Sequence, residues 1–223
     1  MSLKFTKYTS LNKLTKWLVI ILAAEILVSL AVIISDSYEI RLIKSITNYE
    51  FDFDTANSLI EINDMWQSVI ATIEFFVTIT SLVFLPYWFC RAYRNLSALG
   101  AGRLESSPRW VVAYFFVPIL CLWKPVRALE EIWKWSYPSY SEGSKSSFIL
   151  IFWWIPFVIS NMLGFLLIRG YFSAETFQDW INLDTRDIVL EVLVIIANTI
   201  FIYIAKEVCR RQEMKSHNVP TVS

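Results

Sequence analysis

Residues 17–35 read WLVIILAAEILVSLAVIIS, nineteen residues in which Glu25 is the only charge. At a rise of 1.5 Å per residue, a helix of that length covers roughly 28 Å, close to the hydrocarbon thickness of a bilayer. Three further runs share its character: 66–89 (WQSVIATIEFFVTITSLVFLPYWF), 148–168 (FILIFWWIPFVISNMLGFLLI) and 188–205 (IVLEVLVIIANTIFIYIA). A fifth apolar stretch, 110–123 (WVVAYFFVPILCLW), holds Pro118 and has only fourteen residues. That is too short for a full span, so a re-entrant or interfacial segment is expected there. Composition agrees: hydrophobic residues make up 56% of the 223 and charged residues 18%, against about 25% charged in a soluble domain. An all-α membrane protein follows, with four transmembrane helices, a Pro-broken re-entrant hairpin and an amphipathic interfacial helix.

Lys4, Lys7, Lys13 and Lys16 precede the first run, as they would in a signal peptide. The run is longer than the roughly 7–15 residues of a signal h-region, and no small-x-small site follows Ser35, so an uncleaved anchor is expected. Loop charge sets the topology through the positive-inside bias. The segment 36–65 carries seven acids (Asp36, Glu39, Glu50, Asp52, Asp54, Glu61, Asp64) against two bases. The segment 169–187 is acidic again, with Glu175, Asp179, Asp184 and Asp187 against Arg169 and Arg186. Basic residues cluster on both sides of 110–123: Arg91, Arg94, Arg103 and Arg109 before it, Lys124, Arg127, Lys134 and Lys145 after it. The tail is basic as well, through Lys206, Arg210, Arg211 and Lys215. If 110–123 dips in and returns, every loop obeys the bias and both termini are cytoplasmic. The expected organisation is a basic N-terminus (1–16), one polytopic domain (17–205) and a cytoplasmic tail (206–223). The two acidic segments are then solvated outer loops.

Residues 87–136 read as one module. Residues 87–99 continue the second span as a helix, and Gly100 and Gly102 supply the permissive backbone expected just past a helix end. Pro108 suits the first turn of the next helix, Pro118 breaks it, and Pro125 marks the exit. Residues 126–136 are amphipathic: Val126, Leu129, Ile132 and Trp133 share one face against Arg127, Glu130, Glu131 and Lys134. Such a face suits the interface plane or neighbouring helices.

The runs CRAYRNLSALGAG and RWVVAYFFVPILCLWKPVRALEEIW resemble the signature of an uncharacterised bacterial membrane family, domain of unknown function 4328. The matching positions are Arg91, Arg94, Asn95, Leu99, Gly100, Ala101, Trp110, Val117, Pro118, Ile119, Leu122, Trp123, Pro125, Glu131 and Trp133. Lys124 stands where that family usually has Arg, and Cys121 where it has Asn. The resemblance implies the membrane architecture and a bacterial plasma-membrane setting, and it brings no activity.

Chemistry-bearing constellations are sparse. Cys90, Cys121 and Cys209 are far apart and the single His217 lies in a polar tail, which does not make a zinc set, so no metal and no cofactor are expected. The same lack of a core His leaves no Ser-His-acid triad, and no glycine falls in a phosphate-loop context. Lys plus Arg equals Asp plus Glu at twenty each, so no basic field points to nucleic acid. Asp52, Asp54, Glu61 and Asp64 lack the offsets of an EF-hand and read as solvated. Trp17, Trp66, Trp88, Trp110, Trp123, Trp135 and Trp180 fall at or near membrane boundaries, as aromatic anchors do, whereas Trp153 and Trp154 lie deeper.

Two groups stand as candidate sites. Arg91 and Arg94 share a helix face and, with Lys124 and Arg127, could hold an anionic phospholipid headgroup at the cytoplasmic side or pair with Glu130 and Glu131. Glu25, Glu74 and Glu191 lie inside apolar runs, where an acid costs about 2.5–3.5 kcal/mol and normally faces the interior. Glu25 and Ser29 are four apart, Glu191 and Asn198 seven apart, and Glu25 and Glu74 fall at similar depth. A close pair would hold and share a proton. Glu191, nearer the outer end, is expected to snorkel or pair with Arg186. These carboxylates read either as an interhelical clamp or as a proton or cation relay. The expected function is a membrane scaffold or regulatory partner, whether for another membrane protein or as a homo-oligomer. The alternatives are a small transporter or channel using the intramembrane carboxylates and, last, a lipid-acting intramembrane enzyme.

Overall fold

The computed structural model describes residues 8–117, 119–137 and 148–218. The expectations placed on Pro118, on the basic residues Lys4, Lys7 and Lys145, and on the end of the tail lie outside the described residues. Among those described, the chain is all helical: α1 (Asn12–Thr47), α2 (Phe53–Ala98), α3 (Pro108–Ala113), a single 3-10 turn (Leu120–Leu122), α4 (Lys124–Trp135), α5 (Phe148–Tyr171) and α6 (Phe177–Asn218). α1, α2, α5 and α6 are each long and apolar enough to cross a membrane, which makes this a multi-pass membrane protein.

Three of these helices overrun their apolar runs. The 36 residues of α1, 46 of α2 and 42 of α6 amount to about 54, 69 and 63 Å of helix, roughly twice the hydrocarbon thickness. The acidic segments expected as outer loops are therefore mostly helix. Only residues 48–52 separate α1 from α2, and only 172–176 separate α5 from α6. The reason is local. Residues 36–47 hold no Gly or Pro, so no strong breaker ends the helix where hydropathy falls.

The helix starts and stops follow from capping. Asp52 caps α2, its Oδ1 accepting the Thr55 N–H at 3.0 Å and its Oδ2 the Thr55 hydroxyl at 2.8 Å. These bonds, the backbone one first, hold the Asp52 carboxyl below its usual pKa. Thr176 and Asp179 form a reciprocal box at the start of α6: the Asp179 N–H donates to Thr176 Oγ1 at 3.2 Å, and the Thr176 N–H to Asp179 Oδ2 at 3.0 Å. At the end of α2, Gly100 takes φ +80° while the Ala101 N–H reaches back to the Leu96 carbonyl at 3.0 Å. That is the glycine-terminated ending its sequence position requires.

The chain divides into two compact units. Unit one takes Met1–Leu22, Thr80–Trp154 and Ile200–Ser223; unit two takes Ala23–Ile79 and Ile155–Thr199. Unit one has an aromatic centre. Trp88, Phe89, Trp153 and Phe201 are all buried. Phe201 stacks on Phe89 at 5.7 Å and 7°, and meets Trp88 edge-on at 5.5 Å and Trp153 at 4.9 Å. Trp88, expected at a membrane boundary, is wholly inside, and its Nε1–H donates to Thr15 Oγ1 at 3.0 Å. Burial of the ring is tolerated because that polar atom is satisfied. α4 lays Pro125, Ala128, Leu129, Ile132 and Trp133 into this unit, so its apolar face packs on protein. Among the described residues between α2 and α4, the chain makes the six-residue α3 and the 3-10 turn, with Phe116, Ile119 and Leu122 exposed. Trp154 ties that stretch to α5 by donating Nε1–H to the Leu122 carbonyl at 3.2 Å.

Candidate functional site

Unit two carries the intramembrane carboxylates. On α1, Glu25, Ser29 and Asp36 are spaced four and seven apart and so share a face. On α6, Asp184, Asp187, Glu191 and Asn198 do the same at three, four and seven. On α2, Asn63, Gln67 and Glu74 follow at four and seven. The structure turns these three stripes toward one another. Asn198 Nδ2 donates to Glu25 Oε2 at 3.1 Å. Ser29 of α1 lies beside Glu191 of α6. Gln67 Nε2 donates to Glu39, and the Tyr171 hydroxyl of α5 reaches Asp187 Oδ2 at 3.4 Å. Asp36, Asp184 and Glu191 are all buried.

These acids act on one another. Glu74 feels Glu191 most, then Asp187, then Glu25. Asp36 feels Asp187, Asp184 and Glu39. Glu25 and Glu74, expected as the pair, are thus within each other's field, yet Glu191 is the stronger neighbour of Glu74. Glu191 itself does not snorkel. It is 3% exposed, with Ser29 beside it, whereas Arg186 is exposed. The physical reason is the helix face: Glu191 continues the inward stripe of Asp184 and Asp187, and Arg186 lies off it.

No described salt bridge reaches Asp36, Glu74, Asp184, Asp187 or Glu191; the described ion pairs join Glu207 to Arg210 and Arg211. Asp36 Oδ2 and Asp184 Oδ2 are buried without a hydrogen-bond partner. A carboxylate removed from water without a counter-charge is strongly disfavoured, so this column demands a compensating cation or proton. Among the described residues no three of its acids converge closely enough to hold a metal ion. From Glu25 to Asp36 the column runs eleven residues along α1, about 16 Å.

Sequence reasoning named Glu25, Glu74, Glu191 and Asn198 but counted Asp36, Asp184 and Asp187 only as loop charge. The signal that finds them is their helical register with the acids already singled out.

The residues of the family signature fall in unit one. Asn95 is buried, accepts the Thr9 N–H at 3.2 Å, and donates to the Thr9 carbonyl at 2.8 Å and to Gln212 Oε1 at 3.0 Å. Gln212 Nε2 donates onward to the Ala92 carbonyl and to Ser136 Oγ, both at 3.1 Å. Glu131 accepts the Tyr93 hydroxyl and the Glu105 N–H. Trp133 lies under the Arg211 guanidinium, 3.9 Å from its ring centroid, and Tyr137 meets the same guanidinium at 3.9 Å. This is a polar knot fastening the N-terminal segment, the end of α2, α4 and the end of α6. The Ser10 hydroxyl, bonded to Glu213, adds to it and joins the N-terminal segment to the last turns of α6. Gln212 and Arg211 carried no sequence signal, being ordinary polar residues in a basic tail.

The four basic residues expected to converge have separate neighbours. Arg94 Nη2 contacts Cys90 Sγ at 3.8 Å, and Lys124 Nζ sits 5.7 Å from the Tyr114 ring centroid. Arg127 is exposed and Arg91 half-buried. Trp110 and Trp123 are exposed, and Pro125 is buried.

No curated protein and no solved structure matches the chain. A family model does, over residues 52–209, more than half of the chain, including the α2 and α4 parts of the polar knot. The chain therefore belongs to the family described as domain of unknown function (DUF4328).

Proposed function

We propose that this protein handles protons in a bacterial plasma membrane, the carboxylate column of unit two taking them up from the outer side. Both termini lie in the cytoplasm in this reading, since the basic segments of the sequence then fall inside and the acidic ones outside. Phe116, Ile119 and Leu122, all exposed, dip into the bilayer from the cytoplasmic side in this reading. The observation that carries the proposal is the column itself: interacting acids with no base among them and buried oxygens without partners. A hydrogen-bonded clamp would need one or two polar residues, as Glu25 and Asn198 supply. Glu74 and Glu191 within the apolar runs go beyond that need, with Asp36, Asp184 and Asp187 continuing their faces at the outer ends, and ionisable residues within a membrane mark proton and ion paths. Proton relay fits better than metal transport because the acids are strung out rather than gathered.

The test is proton flux into liposomes containing the purified protein and an internal pH dye. Flux should follow an imposed pH gradient and fall at least tenfold in Glu74→Gln and Glu191→Gln variants that still fold. A folded protein with no flux, or variants that conduct as well as the parent, would defeat the relay and return the reading to a membrane scaffold or regulatory partner.

A further inference from the structure

In unit one, the start of α1 and the end of α6 line a groove of about 680 Å³. Its lining includes the apolar Val19 and Ile20 on the membrane side and the basic Lys16, Lys206 and Arg210. Position matters as much as composition. The apolar run of α1 begins at Trp17 and that of α6 ends at Ala205, so Lys16 and Lys206 stand one residue outside the hydrocarbon on each helix. Val19 and Ile20 lie just inside it. Trp17 and Tyr203 flank the same level with exposed rings, the usual place of interfacial aromatics.

The charges on the rim are not equivalent. Arg210 forks onto Glu207, with Nε at 2.8 Å and Nη2 at 2.6 Å, so its charge is met within α6. Glu213 accepts the Ser10 hydroxyl and the Leu11 N–H and is held by the N-terminal segment. Lys16 and Lys206 are exposed and enter no described hydrogen bond or salt bridge. Two uncommitted ammonium groups thus face the headgroup layer, with Val19 and Ile20 on the membrane side.

We propose that this groove seats one anionic phospholipid, its phosphate between Lys16 and Lys206 and one acyl chain along Val19 and Ile20. The match is one of charge and of depth: cations at the polar boundary, methyl and methylene groups directly beneath. It places the lipid at the α1–α6 groove rather than at Arg91, Arg94, Lys124 and Arg127. The assignment does not depend on proton handling, which belongs to unit two.

Native mass spectrometry of the full chain, released from micelles titrated with phosphatidylglycerol or phosphatidylcholine, tests it. The parent protein should retain one phosphatidylglycerol in preference to phosphatidylcholine. Each lysine near a lipid surface contributes about fivefold in affinity, so Lys16→Gln/Lys206→Gln should weaken retention about 30-fold. Lys16→Arg/Lys206→Arg should retain the lipid, and Arg91→Gln/Arg94→Gln should bind as the parent does. Equal retention of the two lipids, unchanged binding in the Lys→Gln pair, or loss in the Arg91/Arg94 pair instead would overturn the proposal. If the Lys→Gln pair does not fold, the single Lys206→Gln variant decides by the same criterion, with about a fivefold loss expected.

Discussion

Replacing Gln212 by Met removes a polar side chain at the centre of unit one while nearly keeping its length and volume. Gln212 is fully buried and makes three hydrogen bonds: Nε2 to the Ala92 carbonyl and to Ser136 Oγ, and Oε1 from Asn95 Nδ2. None of the abandoned partners becomes wholly orphaned. Asn95 Nδ2 keeps the Thr9 carbonyl at 2.8 Å, and the Ser136 hydroxyl still donates to the Ile132 carbonyl at 2.6 Å. The loss is therefore three ordinary bonds at about 1 kcal/mol each, about 3 kcal/mol in sum. Asn95→Leu differs in kind. It strands Gln212 Oε1 in the interior and removes both bonds to Thr9, so about 4 kcal/mol is expected. Because the two residues share one bond, the double variant should be less destabilised than the sum by about 1–2 kcal/mol. Reversible unfolding in mixed micelles, followed by tryptophan fluorescence, gives all four free energies. A single-variant loss below about 0.5 kcal/mol, or a coupling indistinguishable from zero, would refute the picture of a load-sharing knot.

Gly100→Ala should destabilise the end of α2 by about 1 kcal/mol in the same unfolding assay, because φ is +80° there while nothing stands within 4 Å of an added Cβ. Gly100→Asn should cost less, since Asn tolerates that backbone region. Asp52 makes the start of α2 sensitive to acid. Its carboxyl titrates below the usual value in the folded chain, so the cap is complete above about pH 4 and is lost as the pH falls through that lower value. Amide exchange at Thr55 and Ala56 should accelerate over that range in the parent protein. Asp52→Asn should remove the pH dependence while preserving most of the protection.

The parts of this fold that sequence conveys are those written in hydropathy. Each of the four apolar runs coincides with a long helix, and Gly100 ends α2 close to where its backbone freedom suggests. Hydropathy stops at the membrane edge, however, and α1, α2 and α6 do not. Residues 36–47 read as charge-bearing loop because a count of acids says nothing about which way each one points. Once α1 and α6 are known to continue, Asp36, Asp184 and Asp187 fall on the same faces as Glu25 and Glu191, and the column is legible at once. The polar knot is different. Asn95 belongs to a recognisable signature, but its partner Gln212 lies 117 residues away in a tail of ordinary polar character. Only tertiary packing brings those amides together, so no local pattern announces the pair. Trp88 misleads in the opposite way, since an indole near a membrane boundary suits an anchor and a satisfied core residue equally well.

The aromatic centre of unit one also divides the protein's indoles into two optical populations. Trp88 and Trp153 are enclosed, the first against Phe89 and Phe201 and the second 5.4 Å from Trp154, whereas Trp17, Trp66 and Trp110 are each more than half exposed. Brominated acyl chains quench by contact and will reach the outer set alone, leaving a blue-shifted residual emission from the enclosed indoles, buried Trp133 included. Neighbouring rings held at fixed angles also produce near-ultraviolet circular dichroism, and that signal will come chiefly from the centre. Loss of the dichroic band with the quenchable fraction unchanged would report loosening of this packing while the helices remain in the bilayer. The molecule thus reports its own tertiary order without an attached dye.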